Sequence, residues 1–375
     1  MGSRKKLKVW VMTNEFEPNI IGGLGIVATR LTRMLSKTGV HVNVLCSGKT
    51  NLLLLSKEKG LRTARLPKKA PYFHHSARAY KAKAVLRTAS ATGFGRPDLI
   101  HVHSTEFAKA AAEAGSRFRV PIIYTCHSIA SDGGHSNHRK NQAKLIRHAK
   151  RIVVPSRWQA NATRRTYRGA SGRIVVIPHG VKSVSRFTNG ASNQLLFVGR
   201  LIPLKGIKPL IQAVALLSRY RKNVVLTVAG SGNKRYTNHL RAYAKRLGVS
   251  GRIRWLGNRS HVAIHRMYAS YGAVIVPSKR ESFCLVALEA MANGVPLVST
   301  LSGGLKEFVN TRNAHIIHSI RGASIARAVL HMWNNKEGTR QRVIRAKATA
   351  ARYRWREIAQ RYRALFRGVK RAGTL

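Results

Sequence analysis

Short apolar runs alternate along this chain with longer amphipathic stretches, a pattern that predicts parallel strands covered by helices on both faces. Residues 7–12 read as a buried strand, glycines follow at 22, 23 and 25, and 26–38 carries apolar positions at helical spacing. A strand, a glycine turn and a helix therefore open the chain. Further strands are predicted at 40–46, 99–103, 120–126, 151–155 and 174–177. A polar stretch rich in Ser, Asn and Gly, 181–193, reads as a linker, and the alternation restarts beyond it. The second series has strands at 195–198, 224–229, 253–256, 273–276 and 296–299, with a sixth at 314–318.

The expected fold class is α/β, with two Rossmann-like, doubly wound parallel-sheet domains facing a cleft, over residues 1–185 and 186–351. Residues 352–375 are expected to form a helix and tail, with Tyr353, Trp355, Ile358, Tyr362 and Leu365 along one face. That helix can pack on either domain, the N-terminal one being the expected host. Ligands of such sheets sit beyond the carboxyl ends of the strands, so loops from both domains are the place to look for chemistry.

Composition changes this picture in one respect. A chain of 375 residues with 44% apolar content has ample core for two domains, but it carries 69 Lys and Arg against 12 Asp and Glu, a formal charge of +57. The bases run from Arg4 to Arg371 instead of gathering in a patch or tail. They read as engineered or selected surface charge, expected to attract nucleic acid and other polyanions in a salt-dependent way. Cys46, Cys126 and Cys284 are too few and too scattered for a disulfide framework or a spaced metal cluster. No run approaches the roughly 20 apolar residues of a membrane helix, so the expected location is cytoplasmic.

With acids so scarce, their positions matter. Glu58, Glu113, Glu337 and Glu357 read as ordinary surface acids, whereas Glu15 and Glu17 cluster in NEFEP, and Glu281, Glu289 and Glu307 gather in the second half. Glu281 and Glu289 flank an apolar turn; helical geometry would set them about 12 Å apart, the reach of a nucleotide sugar and not of a proton-sharing dyad. The alternative is a helix-capping acid beside a solvated one. Arg200 and Lys205 follow a strand ending at Val198, where a planar fork and a point charge can neutralise a diphosphate, or stand as two more solvated bases. Gly22, Gly23 and Gly25 bare backbone amides at a helix start, suited to an anion or to a tight turn. His103 and His127 close strand-like segments, while His101 reads as a core histidine. Asp98 and Asp132 are the two aspartates, and no Asp-X-Asp pair exists to hold a hard metal against a diphosphate.

Four segments taken in order, EFEPNIIGGLGIVATRLTRML, DLIHVHS, FVGRLIPLKGIKPLI and PSKRESFCLVALEAMANGVPLVSTLSGGLKEFV, carry a resemblance over almost the whole chain. It resembles the retaining glycosyltransferases of GT-B architecture, specifically family 4 with its glycogen-synthase-like relatives. The resemblance implies metal-independent transfer of a sugar from a nucleoside diphosphate to an acceptor hydroxyl, without a cofactor, by front-face substitution. It implies catalytic roles for His127, Glu281, Arg200 and Lys205. Donor contacts are implied for Gly22, Gly23, Gly25, Arg200, Lys205, Glu281, Ser282, Phe283, Cys284, Leu285 and Glu289, with Glu289 on the ribose hydroxyls. Glu15, His103, Glu106 and His135 are candidates for the acceptor side. Cys284 stands where many relatives have Gly, which restricts the backbone and crowds the sugar. An alternative within the class is an α-glucan synthase using ADP- or UDP-glucose. A rival of another class is a polyanion-binding carrier built on an enzyme scaffold, disfavoured as the sole role because the four charged residues of the motif set survive.

Overall fold

The computed structural model describes residues 6–70, 72–130, 136–182 and 193–372. Most of the expected linker at 181–193, together with His135 and Asp132, lies outside the described residues. The chain divides into two compact units: Met1–Gly180 with Trp355–Leu375, and Val181–Arg354. Among the described residues, no helix is long and apolar enough to cross a membrane.

The first unit contains, in order, β1 (Lys8–Thr13), α1 (Gly23–Lys37), β2 (His41–Ser47), β3 (Leu54–Glu58), β4 (Leu61–Leu66), β5 (Phe73–His74), β6 (Ala79–Tyr80), α2 (Ala82–Ala91), β7 (Leu99–Val102), α3 (Ala108–Phe118), β8 (Ile122–Thr125), α4 (Ser136–His148), β9 (Arg151–Val154), α5 (Arg157–Thr166) and β10 (Ile174–Val176). Eight strands form one sheet in the order β10-β9-β8-β7-β1-β2-β4-β3, and β5 pairs with β6 separately. β1 is buried at every position after Lys8 because helices cover both faces of the sheet, which explains its unbroken apolar run. The edge strand β3, LLSKE, is antiparallel to β4 and was not expected from the sequence; all five residues are exposed, the two leucines included, so no alternating or buried pattern marks it. Strand order reverses around β1, which pairs with β2 on one side and β7 on the other. The loops after β1 and β7 thus leave the sheet at its switch point.

The second unit contains β11 (Gln194–Val198), α6 (Ile207–Tyr220), β12 (Val225–Ala229), α7 (Lys234–Arg246), β13 (Ile253–Gly257), α8 (His261–Met267), β14 (Ala273–Val276), α9 (Leu285–Ala292), β15 (Leu297–Ser299), β16 (His315–Ile316), α10 (Gly322–Asn334) and α11 (Lys336–Ala351). Its six parallel strands run β13-β12-β11-β14-β15-β16. The reversal here falls between β11 and β14, directly paired neighbours. Helix α9 is apolar nearly all round and packs against α11, so Glu289 within it is a carboxylate set in hydrophobic surroundings.

Helix α12 (Trp355–Arg371) returns to the first unit. Its buried stripe is Trp355, Ile358, Ala359, Tyr362, Phe366 and Val369. The expected Leu365 is one position off this stripe and half-buried, since the 3.6-residue period carries the buried face from 362 to 366. Tyr353 precedes the helix and packs on Phe283 and Phe308 in the second unit. The Trp355 indole lies against Gly180, where a Cβ would sit 2.4 Å from the ring, so only glycine permits the approach. Lys370 pairs with Asp98 at 2.8 Å, and Arg361 donates to the Val176 carbonyl at 3.1 Å.

Candidate functional site

In the second unit the chain beyond β11 lies directly on the chain beyond β14. Gly206 has a φ of +69° and a Cβ there would overlap the Pro277 carbonyl oxygen at 2.0 Å; the Lys279 amide donates to the Leu204 carbonyl at 2.8 Å. This contact carries Lys205 to Glu281, with Nζ 2.6 Å from Oε1. Ser278 Oγ donates to the same oxygen at 2.7 Å. Glu281 is 7% exposed, and its carbonyl accepts from the Gly304 amide at 2.8 Å. Gly303, at φ +61°, completes the enclosure, since a Cβ there would fall 2.2 Å from the same carbonyl oxygen. A buried carboxylate with a fixed cationic partner is thus held by segments following β11, β14 and β15. Arg200 lies exposed on the loop after β11.

Ser282, Phe283, Cys284 and Leu285 lead from Glu281 into α9. Phe283 is buried against Phe308 at 5.0 Å between ring centroids. Cys284 forms the N-cap of α9 in a left-handed conformation, φ +83° and ψ +84°. Burial pushes its thiol up, with the neighbouring Glu281 carboxylate adding to the shift. The helix begins only at Leu285, which corrects the helical spacing assumed for the two acids: Glu281 precedes the helix and Glu289 stands just over one turn inside it. The sequence reading expected a restricted backbone at Cys284, and the residue adopts the left-handed conformation that glycine takes freely.

Glu289 is 4% exposed and already engaged. Tyr268 donates its hydroxyl to Oε2 at 2.9 Å, and His261 Nε2 lies 2.7 Å from Oε1. His265 Nε2 is 3.7 Å from the same oxygen. The sequence reading missed these three partners; the available signal was the His-X3-His spacing on a short helical segment. Glu307 is the exposed last residue of the turn Gly303–Glu307, in which Gly304 and Leu305 are buried.

In the first unit Glu15 organises the glycine loop. Its Oε2 accepts from the amides of Ile21 at 2.8 Å and Gly22 at 2.9 Å, and a Cβ on Gly25 would meet that oxygen at 2.6 Å. One of the glycine amides proposed for an outside anion, that of Gly22, is therefore bonded to a carboxylate of the chain itself, and α1 starts earlier than the sequence suggested. Gly23 is the first residue of α1. Beyond β7, Ser104 donates to Asn14 Oδ1 at 2.6 Å, and the Asn14 side-chain amide donates to Glu106 at 3.0 Å. Glu17 and Glu58 both pair with Arg33, at 3.3 and 2.7 Å.

His103 and His127 come together, sharing a hydrogen bond between Nδ1 and Nε2 of 3.0 Å. His179, absent from the sequence reading, lies beside His127 with its ring tilted by 32° and 5.4 Å between centroids. His101 bonds Thr125 Oγ1 at 2.8 Å and packs on Phe366 from α12, a core histidine. Burial lowers all four: His101 and His127 to about 3, His103 and His179 well below their ordinary range. Near neutral pH this group carries no charge.

Two Rossmann-like units in tandem, each with its polar cluster beyond the central strands of a parallel sheet, define the GT-B class. Comparison with known proteins agrees. The family model for glycosyl transferases group 1 matches residues 182–349, and that for glycosyltransferase family 4 matches 21–183. The chain is a glycosyltransferase of GT-B fold, related to both of these groups. An uncharacterized glycosyltransferase of Methanocaldococcus jannaschii is 28% identical, over 81% of this chain and 83% of its own length. The D-inositol 3-phosphate glycosyltransferase of Actinosynnema mirum is also 28% identical, over 76% of this chain and 77% of its own. A glycogen synthase of Mycobacterium tuberculosis is 26% identical over 97% and 95% of the two chains. Among solved structures, sucrose-phosphate synthase from Thermosynechococcus elongatus superposes with a TM-score of 0.78 at 18% identity, covering 97% of this chain and 100% of that one. Anabaena HepE in complex with UDP-glucose gives 0.73 at 20% identity, covering 96% and 99%.

Proposed function

We propose that this glycosyltransferase takes a glucosyl group from a nucleoside diphosphate and adds it, with retention and without a metal, to a hydroxyl of an α-glucan. The glucan-synthase reading has more support than one with an unspecified acceptor, because the glycogen synthase relative aligns over 97% of the chain. The HepE complex supports a nucleoside-diphosphate sugar as donor. The observation that carries the reading is the Lys205–Glu281 pair at 2.6 Å, held beyond the two strands where the second sheet reverses.

A lysine ammonium has three donors, so Lys205 can hold Glu281 and still meet phosphate oxygens. Glu281 retains acceptor capacity for sugar hydroxyls, and Glu289 for the ribose. In the step itself the anomeric C1–O bond to the diphosphate breaks while the acceptor oxygen bonds C1 on the same face. The acceptor proton passes to an oxygen of the leaving phosphate, so no protein base is required. Arg200 and Lys205 meet the charge that develops on that leaving group. His127, held neutral by burial, offers a hydrogen bond to the sugar and not a positive charge.

The test is transfer from UDP-, ADP- and GDP-glucose to glycogen in EDTA, with product chain length and anomeric configuration read by chromatography and NMR. Elongation of glycogen through α-linkages is expected. Transfer to inositol 3-phosphate with none to glycogen would remove the glucan reading. Adsorption of polyanions is a separate property we infer from 69 bases against 12 acids. It should appear as an RNA mobility shift that vanishes at high salt.

A further inference from the structure

Three groups of metal-ligating chemistry converge in the second unit. His261 and His265 lie four apart on α8, so both imidazoles leave one face of the helix, with ring centroids 4.4 Å apart. Their Nε2 atoms are 2.7 and 3.7 Å from Oε1 of Glu289. The three ligand atoms all lie within 4.8 Å of one another. Ligands bonded at about 2.1 Å to one tetrahedral ion stand about 3.4 Å apart, so small side-chain adjustments suffice to close the site. Tyr268 donates to the other carboxylate oxygen at 2.9 Å and fixes its orientation, as outer hydrogen bonds do around bound metals.

We propose that His261, His265 and Glu289 form a binding site for a divalent transition ion, Zn2+ foremost, and that this ion competes with the nucleotide donor. Two imidazoles and one carboxylate favour zinc, cobalt or copper over magnesium or calcium, which demand oxygen-rich shells. A chain of formal charge +57 gives no electrostatic help to a cation, so ligand chemistry must supply the affinity. Three protein ligands leave a fourth position open. The ion is a competitor and not a cofactor: once bound it occupies Glu289 and closes off that carboxylate to a ribose. The metal site stands on its own geometry, whereas the competition rests on the proposed contact between Glu289 and the donor.

The experiment is a titration of the EDTA-stripped, dialysed full chain with Co2+, followed by visible absorption, with Mg2+ and Zn2+ in parallel. One equivalent of Co2+ should give a four-coordinate absorption band that Zn2+ abolishes and Mg2+ does not. The band should disappear in H261A, H265A and E289Q and persist in H318A, whose imidazole is exposed elsewhere. Thermal melting identifies which variants remain folded, and one folded variant of the first three is enough. No band in the unaltered chain, or a band that survives in a folded H261A or H265A, overturns the site. Zn2+ that raises the donor KM at least tenfold with kcat unchanged supports the competition. A band with an unchanged donor KM keeps the metal site and refutes the competition, separating the two claims.

Discussion

Lys205 and Glu281 are 76 positions apart, and their side chains meet at 2.6 Å, with the Ser278 hydroxyl on the same carboxylate oxygen. The glycine at 206 and the backbone bond from Lys279 to Leu204 make the meeting possible. Removing the ammonium in Lys205→Ala strands a carboxylate that is 7% exposed. The expected loss of stability is about 2–3 kcal/mol, and the cost should shrink in an E281Q background. Urea unfolding of the two single variants and the double variant measures this. Additive losses would mean the pair is not formed in solution.

Cys284 occupies a left-handed backbone conformation at φ +83°, where a β-carbon is strained and glycine is not. Cys284→Gly should stabilise the protein by roughly 1 kcal/mol, raising the melting temperature by about 2–4 °C. A fall in melting temperature would show that the thiol contributes more in packing than its backbone costs.

The histidine cluster predicts acid sensitivity. His101 and His127 are held at about 3 by burial against an ordinary 6.5, with His103 and His179 lowered as well. Between these values the native state binds fewer protons than the unfolded chain. Stability contributed by the neutral rings is therefore full above about pH 6.5 and is lost as pH falls toward 3, with a limiting slope of about 1.4 kcal/mol per pH unit for each histidine. Denaturant midpoints measured from pH 7 to pH 4 should fall, and His101→Gln should reduce the slope. A flat profile over that range contradicts the burial of these rings as neutral species.

Strands with both faces covered were legible because nothing polar interrupts them: β1 and β14 are unbroken apolar runs. The β3–β4 hairpin was not, since β3 is exposed at every position and its pattern reflects solvent on both sides. The scarcity of acids drew the sequence reading to Glu281 and Glu289, and both are buried and partnered. Cys284 was read as restricting the backbone, but nothing in the local pattern placed the start of α9 at Leu285. His261, His265 and Tyr268 reach Glu289 across 21 to 28 positions; the His-X3-His spacing sets both imidazoles on one helix face, but only packing brings them to the carboxylate. Glu15, a candidate for the acceptor side, bonds the adjacent loop through the amides of Ile21 and Gly22, a contact the sequence reading did not foresee.

The measurement that tests the central claim most directly is the initial rate of donor turnover in EDTA, with UDP-, ADP- and GDP-glucose and glycogen, for the unaltered chain and for E281Q. The account predicts that at least one donor turns over undiminished without free metal and that E281Q lowers the rate about a hundredfold or more, as loss of a directional charged contact in the transition state does. Activity abolished by EDTA, or an E281Q enzyme as fast as the original, would contradict it.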